Sequence, residues 1–148
     1  MRRSNLGGGF RRNERVKGMI LVDTSVWIDF FNNNSNEKVD SLKLFLRQNA
    51  DICITDIVFM EILQGIKNEH KYENVKQILL ALPFFHATAY KTFIMATEIY
   101  RECRKKGLTI RKSNDCIIGA IALENNLKLL TLDKDFNYIS QAFPLMLC

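Results

Sequence analysis

The chain has 148 residues, of which 47% are hydrophobic and 25% are charged, and its formal net charge is +5. This length fits one domain with a substantial core, and the composition is ordinary for a soluble globular protein. No apolar run approaches the roughly 18 residues of a membrane span, and no signal peptide is expected. Four widely spaced cysteines without a CxxC pair indicate a reducing cytoplasm, not a disulfide framework or a zinc site.

The excess charge lies in residues 1–18, a segment rich in glycine, arginine and asparagine. This segment holds six basic residues and one acidic residue, so residues 19–148 carry no net charge. We predict a basic, disordered leader, which is either a nucleic-acid-binding arm or an extension upstream of a natural start at Met19. We favour the extension. The overall charge is therefore weak evidence for RNA binding by the domain at 19–148.

From Met19 onward, short apolar runs alternate with amphipathic segments. Strands are predicted at 19–22, 52–55, 84–88, 127–132 and 143–148. Helices are predicted at 24–31, 37–49, 57–66, 71–82, 89–106 and 115–126, with a short one from Asp133. The expected helix caps are Thr24 or Ser25, Thr55 or Asp56, and Ser113 or Asn114. This alternation predicts βαβ units and an α/β fold with a mostly parallel sheet covered on both faces.

Four acidic residues are expected at one edge of this sheet. Asp23 and Asp133 follow predicted strands, and ligands bind at the carboxyl ends of strands in open α/β sheets. Asp115 lies in the first turn of a helix, and Glu61 lies in the apolar run IVFMEIL, where burial is expected. Each acid has a structural alternative: a helix cap for Asp133, a favourable helix-terminal charge for Asp115, a turn for Asp23 and a salt bridge to a distant segment for Glu61.

Clustered carboxylates predict a bound divalent cation. Like charges raise each other's pKa, so a cluster at neutral pH needs a compensating charge. Oxygen ligands favour Mg²⁺ or Mn²⁺, and one or two such ions suit the hydrolysis of phosphate esters. His70 and His86 lack a metal-binding spacing, so zinc is not expected.

Four segments resemble, in order and spacing, the motifs of PIN-domain nucleases. They are VDTSVWIDFF at 22–31, TDIVFMEILQGI at 55–66, RKSNDCIIGAIAL at 111–123 and LLTLDKDF at 129–136. The form DTSVWIDFF is similar to that of VapC-type toxins from toxin–antitoxin pairs. The resemblance implies a three-layer α/β/α sandwich over residues 19–148 and an Mg²⁺- or Mn²⁺-dependent endoribonuclease. It also implies a homodimer and inhibition by a small VapB-like antitoxin that inserts part of its chain near the acids.

The resemblance also implies roles for individual residues. Asp23 and Asp115 match the principal metal ligands, and Glu61 and Asp133 complete the set directly or through water. Asp135 matches a further acid behind the ligands. Four matching polar residues are expected to orient waters or ligands: Thr24, Ser25, Asn114 and Thr131. Two basic residues are expected either to contact RNA phosphates or to be solvated surface charges: Arg111 and Lys134.

Two glycines follow acids by four residues, Gly65 after Glu61 and Gly119 after Asp115. Glycine inside a helix is unfavourable, so its presence predicts that both helices pack close to another backbone. Gly119 also departs from the family pattern, in which alanine is common.

Two other classes of function compete with the nuclease. The first is a catalytically silent PIN-like module that binds RNA or a protein partner. The second is a phosphatase-like enzyme with Asp23 as nucleophile. Such enzymes usually carry a second aspartate two residues later, and this chain has Ser25 there. The sequence therefore favours the nuclease.

Overall fold

A computed structural model of the protein describes residues 18–148. The predicted leader lies outside the described residues, apart from Gly18. The elements in chain order are β1 (Ile20–Val22), α1 (Thr24–Phe31), α2 (Glu37–Arg47), β2 (Ile52–Thr55), α3 (Asp56–Gln64), α4 (Glu69–Leu80), β3 (Phe84–Phe85), α5 (Ala89–Lys105), α6 (Ser113–Glu124), β4 (Lys128–Leu130), α7 (Asp135–Ala142) and β5 (Met146–Leu147).

The strands form one five-stranded parallel sheet in the order β3-β2-β1-β4-β5. All residues of β1 and β2 are buried, although successive side chains of a strand point to opposite faces. Both faces of the sheet are therefore covered by helices, which confirms the α/β/α sandwich. Strands β2 and β3 lie on one side of β1, and β4 and β5 lie on the other. The carboxyl ends of β1 and β4 thus flank a topological switch point, where ligands bind in such folds.

Helix α6 is the most buried helix of the described chain. Ile118, Ala120, Ile121 and Ala122 are all at most 1% exposed. In α1, Trp27 is buried and stacks on Phe31 with ring centroids 5.5 Å apart. Asp115 lies in the first turn of α6 and Asp23 directly precedes α1, so the core fixes the backbone that carries both acids.

Several predicted boundaries shift. The predicted strands at 84–88 and 143–148 shrink to the two-residue strands β3 and β5. The Thr55 cap of α3 is confirmed, since its Oγ1 accepts a bond from the Val58 amide at 3.2 Å. Helix α6 begins at Ser113 with Lys112 as its N-cap residue.

The predicted helix at 24–31 is confirmed, but its predicted N-cap is wrong, and so is the predicted start of α7. The N-cap residue of α1 is Asp23, not Thr24 or Ser25, and its carboxylate makes no cap bond. Helix α7 begins at Asp135 with Lys134 as N-cap residue, not at Asp133. The Asp23 carboxylate is bonded to the hydroxyls of Ser25 and Thr131 instead. Asp133 lies just outside α7, but its Oδ1 accepts from the Asp135 amide at 2.9 Å and so still satisfies the first N–H of that helix.

The predicted close backbone packing at the two glycines is also wrong. A Cβ on Gly65 would meet carbonyl oxygens of its own preceding turn at 3.7 Å and 3.9 Å. A Cβ on Gly119 would meet the side chain of Ile139, whose Cδ1 lies 3.4 Å away. None of the helices described in residues 18–148 is both long and apolar enough to cross a bilayer.

Candidate active site

The predicted acids do converge at the carboxyl edge of the sheet. Asp23 directly follows β1, and Asp133 lies three residues beyond the end of β4. Asp115 comes from the first turn of α6, and Glu61 comes from α3. The negative charges of Asp133, Asp23 and Glu61 all raise the pKa of Asp115. Four segments distant in sequence therefore bring charge to one edge of the sheet. Asp23 and Glu61 are not in the one group of acids, within residues 18–148, that lie close enough together to share an ion.

Hydroxyl groups fix Asp23 in place. Ser25 Oγ and Thr131 Oγ1 donate to Asp23 Oδ2 at 2.8 Å and 2.9 Å. The same hydroxyls accept bonds from the turn after β4: Ser25 from the Leu132 amide at 3.1 Å, and Thr131 from the Asp133 amide at 2.9 Å. Burial raises the pKa of Asp23, and these hydrogen bonds oppose the rise. The two hydroxyls thus tie the exits of β1 and β4 together around one carboxylate.

Glu61 is less buried than the sequence predicts. Glu61 is partly exposed, and its neighbour Met60 is 48% exposed. The helix formed by the run IVFMEIL is therefore not buried on every side. The expected distant partner exists, but it is a hydroxyl and not a cation. Thr24 Oγ1 donates to Glu61 Oε1 at 2.9 Å. The hydrogen bond orients the carboxylate without neutralising its charge.

Asp115 is the most perturbed acid of the site. Its side chain is buried, and Oδ2 has no hydrogen-bond partner within residues 18–148. Burial, followed by the charges of Asp133 and Asp23, raises its pKa to about 7. Lys112 acts in the opposite direction. Lys112 was not among the predicted site residues, although a basic residue three positions before a helix-terminal acid was a usable signal.

Three carboxylates come close enough to share one ion. One oxygen from each of Asp115, Asp133 and Asp135 lies within 4.8 Å of the other two. This group includes Asp135, which the resemblance places behind the ligands. Because Asp115 Oδ2 is buried and unpaired, Asp115 and Asp133 fit a divalent cation: an ion would satisfy that oxygen and offset the crowded negative charge.

The remaining predicted residues surround the acids. Arg111 lies just before α6, and its side chain bonds to Asp135 and Asp133. Lys134 is exposed and shares with Arg111 a shallow cavity that also contacts Ser25, Leu132 and Asp133. Asn114 is half-buried in the first turn of α6, and no hydrogen bond of its side chain is recorded in the described part of the chain. All predicted site residues therefore lie at this edge, with Asn114 making the fewest contacts.

Comparison with known proteins places the chain in a family. The family model for the PIN domain matches residues 20–141. Ribonuclease VapC11 of Mycobacterium tuberculosis is 32% identical over 124 residues, which cover 83% of this chain and 92% of that protein. Ribonuclease VapC1 of Methanocaldococcus jannaschii is 31% identical over 124 residues, which cover 84% of this chain and 82% of that protein.

Solved structures agree in fold. VapBC2 from Rickettsia felis, bound to a DNA fragment from its promoter, aligns with a TM-score of 0.70 at 23% identity and covers 88% of this chain and 97% of that one. VapBC-1 from Haemophilus influenzae aligns with a TM-score of 0.67 at 19% identity and covers 88% and 96%. The fold, the order of the acids and the sequence identity lead to one conclusion: the chain belongs to the PIN domain family and, within it, to the VapC ribonucleases.

Proposed function

We propose that this protein is an endoribonuclease that uses Mg²⁺ or Mn²⁺ to hydrolyse RNA phosphodiester bonds, as the toxin of a toxin–antitoxin pair. The observation that carries the proposal is the acidic site, in which Asp115 Oδ2 is buried and unpaired among the other carboxylates. Such a site is unfavourable without a cation and suited to one. The VapC ribonuclease names of the relatives support RNA as the substrate.

Asp23, Glu61, Asp115 and Asp133 would hold one or two ions. When bound, a divalent cation lowers the pKa of water and offsets the charge that develops on the attacked phosphate. The protein's own part is orientation. Hydroxyls of Ser25 and Thr131 hold Asp23, the hydroxyl of Thr24 holds Glu61, and the core holds the first turn of α6. Neighbours that fix the ligands in this way commonly affect metal affinity by 10- to 100-fold.

Cleavage of bulk tRNA and rRNA tests the nuclease proposal. The purified protein should cut RNA when Mg²⁺ or Mn²⁺ is added and should stop when EDTA is added. Asp23→Asn and Asp115→Asn should each lose nearly all activity, because both remove a charge from the metal site. Equal cutting by the wild type and both variants would mean a contaminating nuclease. No binding of millimolar Mn²⁺ in calorimetry would favour the catalytically silent module instead.

A VapB-like antitoxin is the proposed protein partner, since the similar structures include VapBC complexes. A groove of about 350 Å³ between α1, α3 and α4 offers a place for one of its segments. Apolar side chains of Ile28, Phe31, Ile62 and Ile66 line the groove, and Lys67 and Lys71 stand at its rim. We infer that the segment is amphipathic and carries acidic residues. The proposed site of action is the cytoplasm, where the RNA substrate is present.

We also propose that two copies of the chain pair through α5. Its exposed face carries Tyr90, Phe93 and Ile94, with Tyr90 78% exposed. Three large apolar side chains on one stretch of a helix are typical of an interface. Sedimentation velocity should find a dimer for the wild type and a monomer for Phe93→Asp. A monomeric wild type at micromolar concentration would overturn this pairing without touching the nuclease proposal.

A further inference from the structure

Asp135 lies close to Asp115 and Asp133, but its carboxylate is hydrogen-bonded to an arginine. Its Oδ2 accepts two bonds from Arg111, one from the backbone amide at 3.1 Å and one from Nε at 3.3 Å. Its side chain is only 2% exposed, whereas that of Arg111 is 62% exposed. A buried carboxylate therefore holds the base of an arginine whose end reaches solvent. This arrangement differs from that of Asp115, whose Oδ2 is free.

We propose that Asp135 is a positioning residue that holds the Arg111 guanidinium at the rim of the acidic site, where Arg111 binds a phosphate of the RNA backbone. The inference rests on the proposed nuclease function, which supplies the RNA. It also removes Asp135 from the set of metal ligands, although its oxygen lies within 4.8 Å of those of Asp115 and Asp133.

The guanidinium keeps free donors for this task. Arginine carries five N–H donors in a planar fork. Asp135 uses the Nε donor, and Asp133 Oδ1 receives one bond from Nη2 at the long distance of 3.4 Å. Three N–H donors remain, and Arg111 lines a shallow cavity that it shares with Ser25 and Lys134. A phosphate bound in that cavity could accept two parallel hydrogen bonds from the Arg111 guanidinium.

Charge explains why such a group is needed. Residues 19–148 carry no net charge, and the acidic site itself repels a polyanion. Together with a bound divalent cation, basic side chains beside the acids would offset this repulsion. Arg111 is the cation whose position is fixed, because its guanidinium bonds to Asp135 and Asp133. Within residues 18–148, the side chains of Lys112 and Lys134 make no hydrogen bond or ion pair of this kind. The pKa of Arg111 is raised further by its bond to Asp135, so the group stays charged.

Binding of RNA without cleavage tests the proposal. The probe is a fluorescein-labelled, mixed-sequence, single-stranded RNA 20-mer, and its anisotropy is followed in EDTA from 50 to 300 mM NaCl. Arg111→Gln should weaken binding about five- to tenfold and reduce the slope of log K against log salt by about 0.7, the value for one contact to single-stranded RNA. Arg111→Lys keeps the charge and should keep the slope. Arg47→Gln is the matched control: this exposed arginine ends α2, just before β2 begins, and so lies toward the opposite edge of the sheet.

Asp135→Asn gives the sharper result. Removing a negative charge near an RNA site ordinarily strengthens RNA binding, so a bystander acid predicts a gain. Positioning predicts a loss similar to that of Arg111→Gln, and the double variant should bind no worse than Arg111→Gln alone. In calorimetry, Asp135→Asn should keep its Mn²⁺ affinity within about threefold, whereas Asp115→Asn should lose at least about tenfold.

The opposite results overturn the inference. Tighter RNA binding by Asp135→Asn, an unchanged slope in Arg111→Gln, or a loss of Mn²⁺ affinity in Asp135→Asn equal to that of Asp115→Asn would each do so. If Asp135→Asn fails to fold in a thermal melt, the two variants of exposed Arg111 decide the matter. A wild type that binds RNA but never cuts it would refute the nuclease proposal and leave the binding result to stand.

Discussion

Replacing Asp115 by asparagine should make the cation-free protein more stable near neutral pH. The carboxyl is buried, its Oδ2 has no hydrogen-bond partner in residues 18–148, and Asp133 and Asp23 add like charge. Asparagine has nearly the same shape, carries no charge, and offers an amide donor to the surrounding carboxylates. The substitution therefore removes a repulsion and leaves the packing of α6 intact.

The size of the effect follows from the pKa of Asp115. This carboxyl titrates near 3.8 in the unfolded chain and at about 7 in the folded protein. Between these values the folded protein binds more protons than the unfolded chain, so stability falls as pH rises from about 4 to about 7 and then levels off. The full loss is at most about 4 kcal/mol at pH 8, and relaxation of the site reduces it to about 2–3 kcal/mol.

Urea unfolding in EDTA at pH 5 and pH 8 measures this directly. The wild type should be less stable at pH 8, and Asp115→Asn should recover about 2–3 kcal/mol there. Some pH dependence should remain in the variant, because the pKa of Asp23 is also raised. Saturating Mn²⁺ should stabilise the wild type much more than the variant, since only the wild type keeps this ligand.

Two results would contradict the reasoning. Equal stability of the wild type at pH 5 and pH 8 in EDTA would mean that the carboxylates are not crowded. A variant less stable than the wild type at pH 8 would mean that Asp115 has a compensating partner. Circular dichroism of both proteins at each pH confirms that the comparison is between folded states.

Three further predictions concern other parts of the molecule. Gly119→Ala should raise the free energy of unfolding by about 0.5–1 kcal/mol, because alanine favours the helix and its Cβ would meet only side-chain atoms: Ile139 Cδ1 at 3.4 Å, Ile139 Cγ2 at 3.8 Å and Ile99 Cδ1 at 3.9 Å. Urea unfolding measures this, and a loss of stability would show that these side chains cannot move aside. Thr24→Val should weaken Mn²⁺ binding about tenfold in calorimetry, because Glu61 loses the hydroxyl that orients it. An unchanged affinity would show that this hydrogen bond does not orient a metal ligand. Ile28 lines the proposed antitoxin groove and is already 39% exposed, so Ile28→Asp should leave the fold intact. The variant should no longer be captured by the antitoxin but should still cleave RNA. Retained capture would mean that the antitoxin binds elsewhere.

The order of elements was readable from the sequence because it depends on local patterns. ILV and ICIT are wholly apolar runs, and in the fold they are the buried strands β1 and β2. The edge strands β3 and β5 were overestimated, since pairing with a single short neighbour, and not side-chain type, sets their length. The convergence of Asp23 and Asp133 was also predictable, because each follows a parallel strand.

The hydrogen bonds between side chains of the site were not predictable. The bond from Thr131 to Asp23 joins residues 108 positions apart, and that from Arg111 to Asp135 joins residues 24 apart. No local pattern encodes such pairs, since they depend on the register of β1 against β4 and on how α6 meets α7. For the same reason the exposure of Glu61 was misjudged: its helix face is decided by what packs against α3.

The short edge strands have a consequence for how partners can attach. β3 and β5 each contribute two residues, so either border of the sheet offers few free backbone groups to an incoming strand. Proteins that bind peptides by strand addition need a longer unpaired edge, and the same edge would invite aggregation. Recognition of this protein must therefore proceed through side chains and helix surfaces. An antitoxin can evolve by changing individual contacts in a groove, without a shared backbone register, which favours specific pairs over cross-reaction.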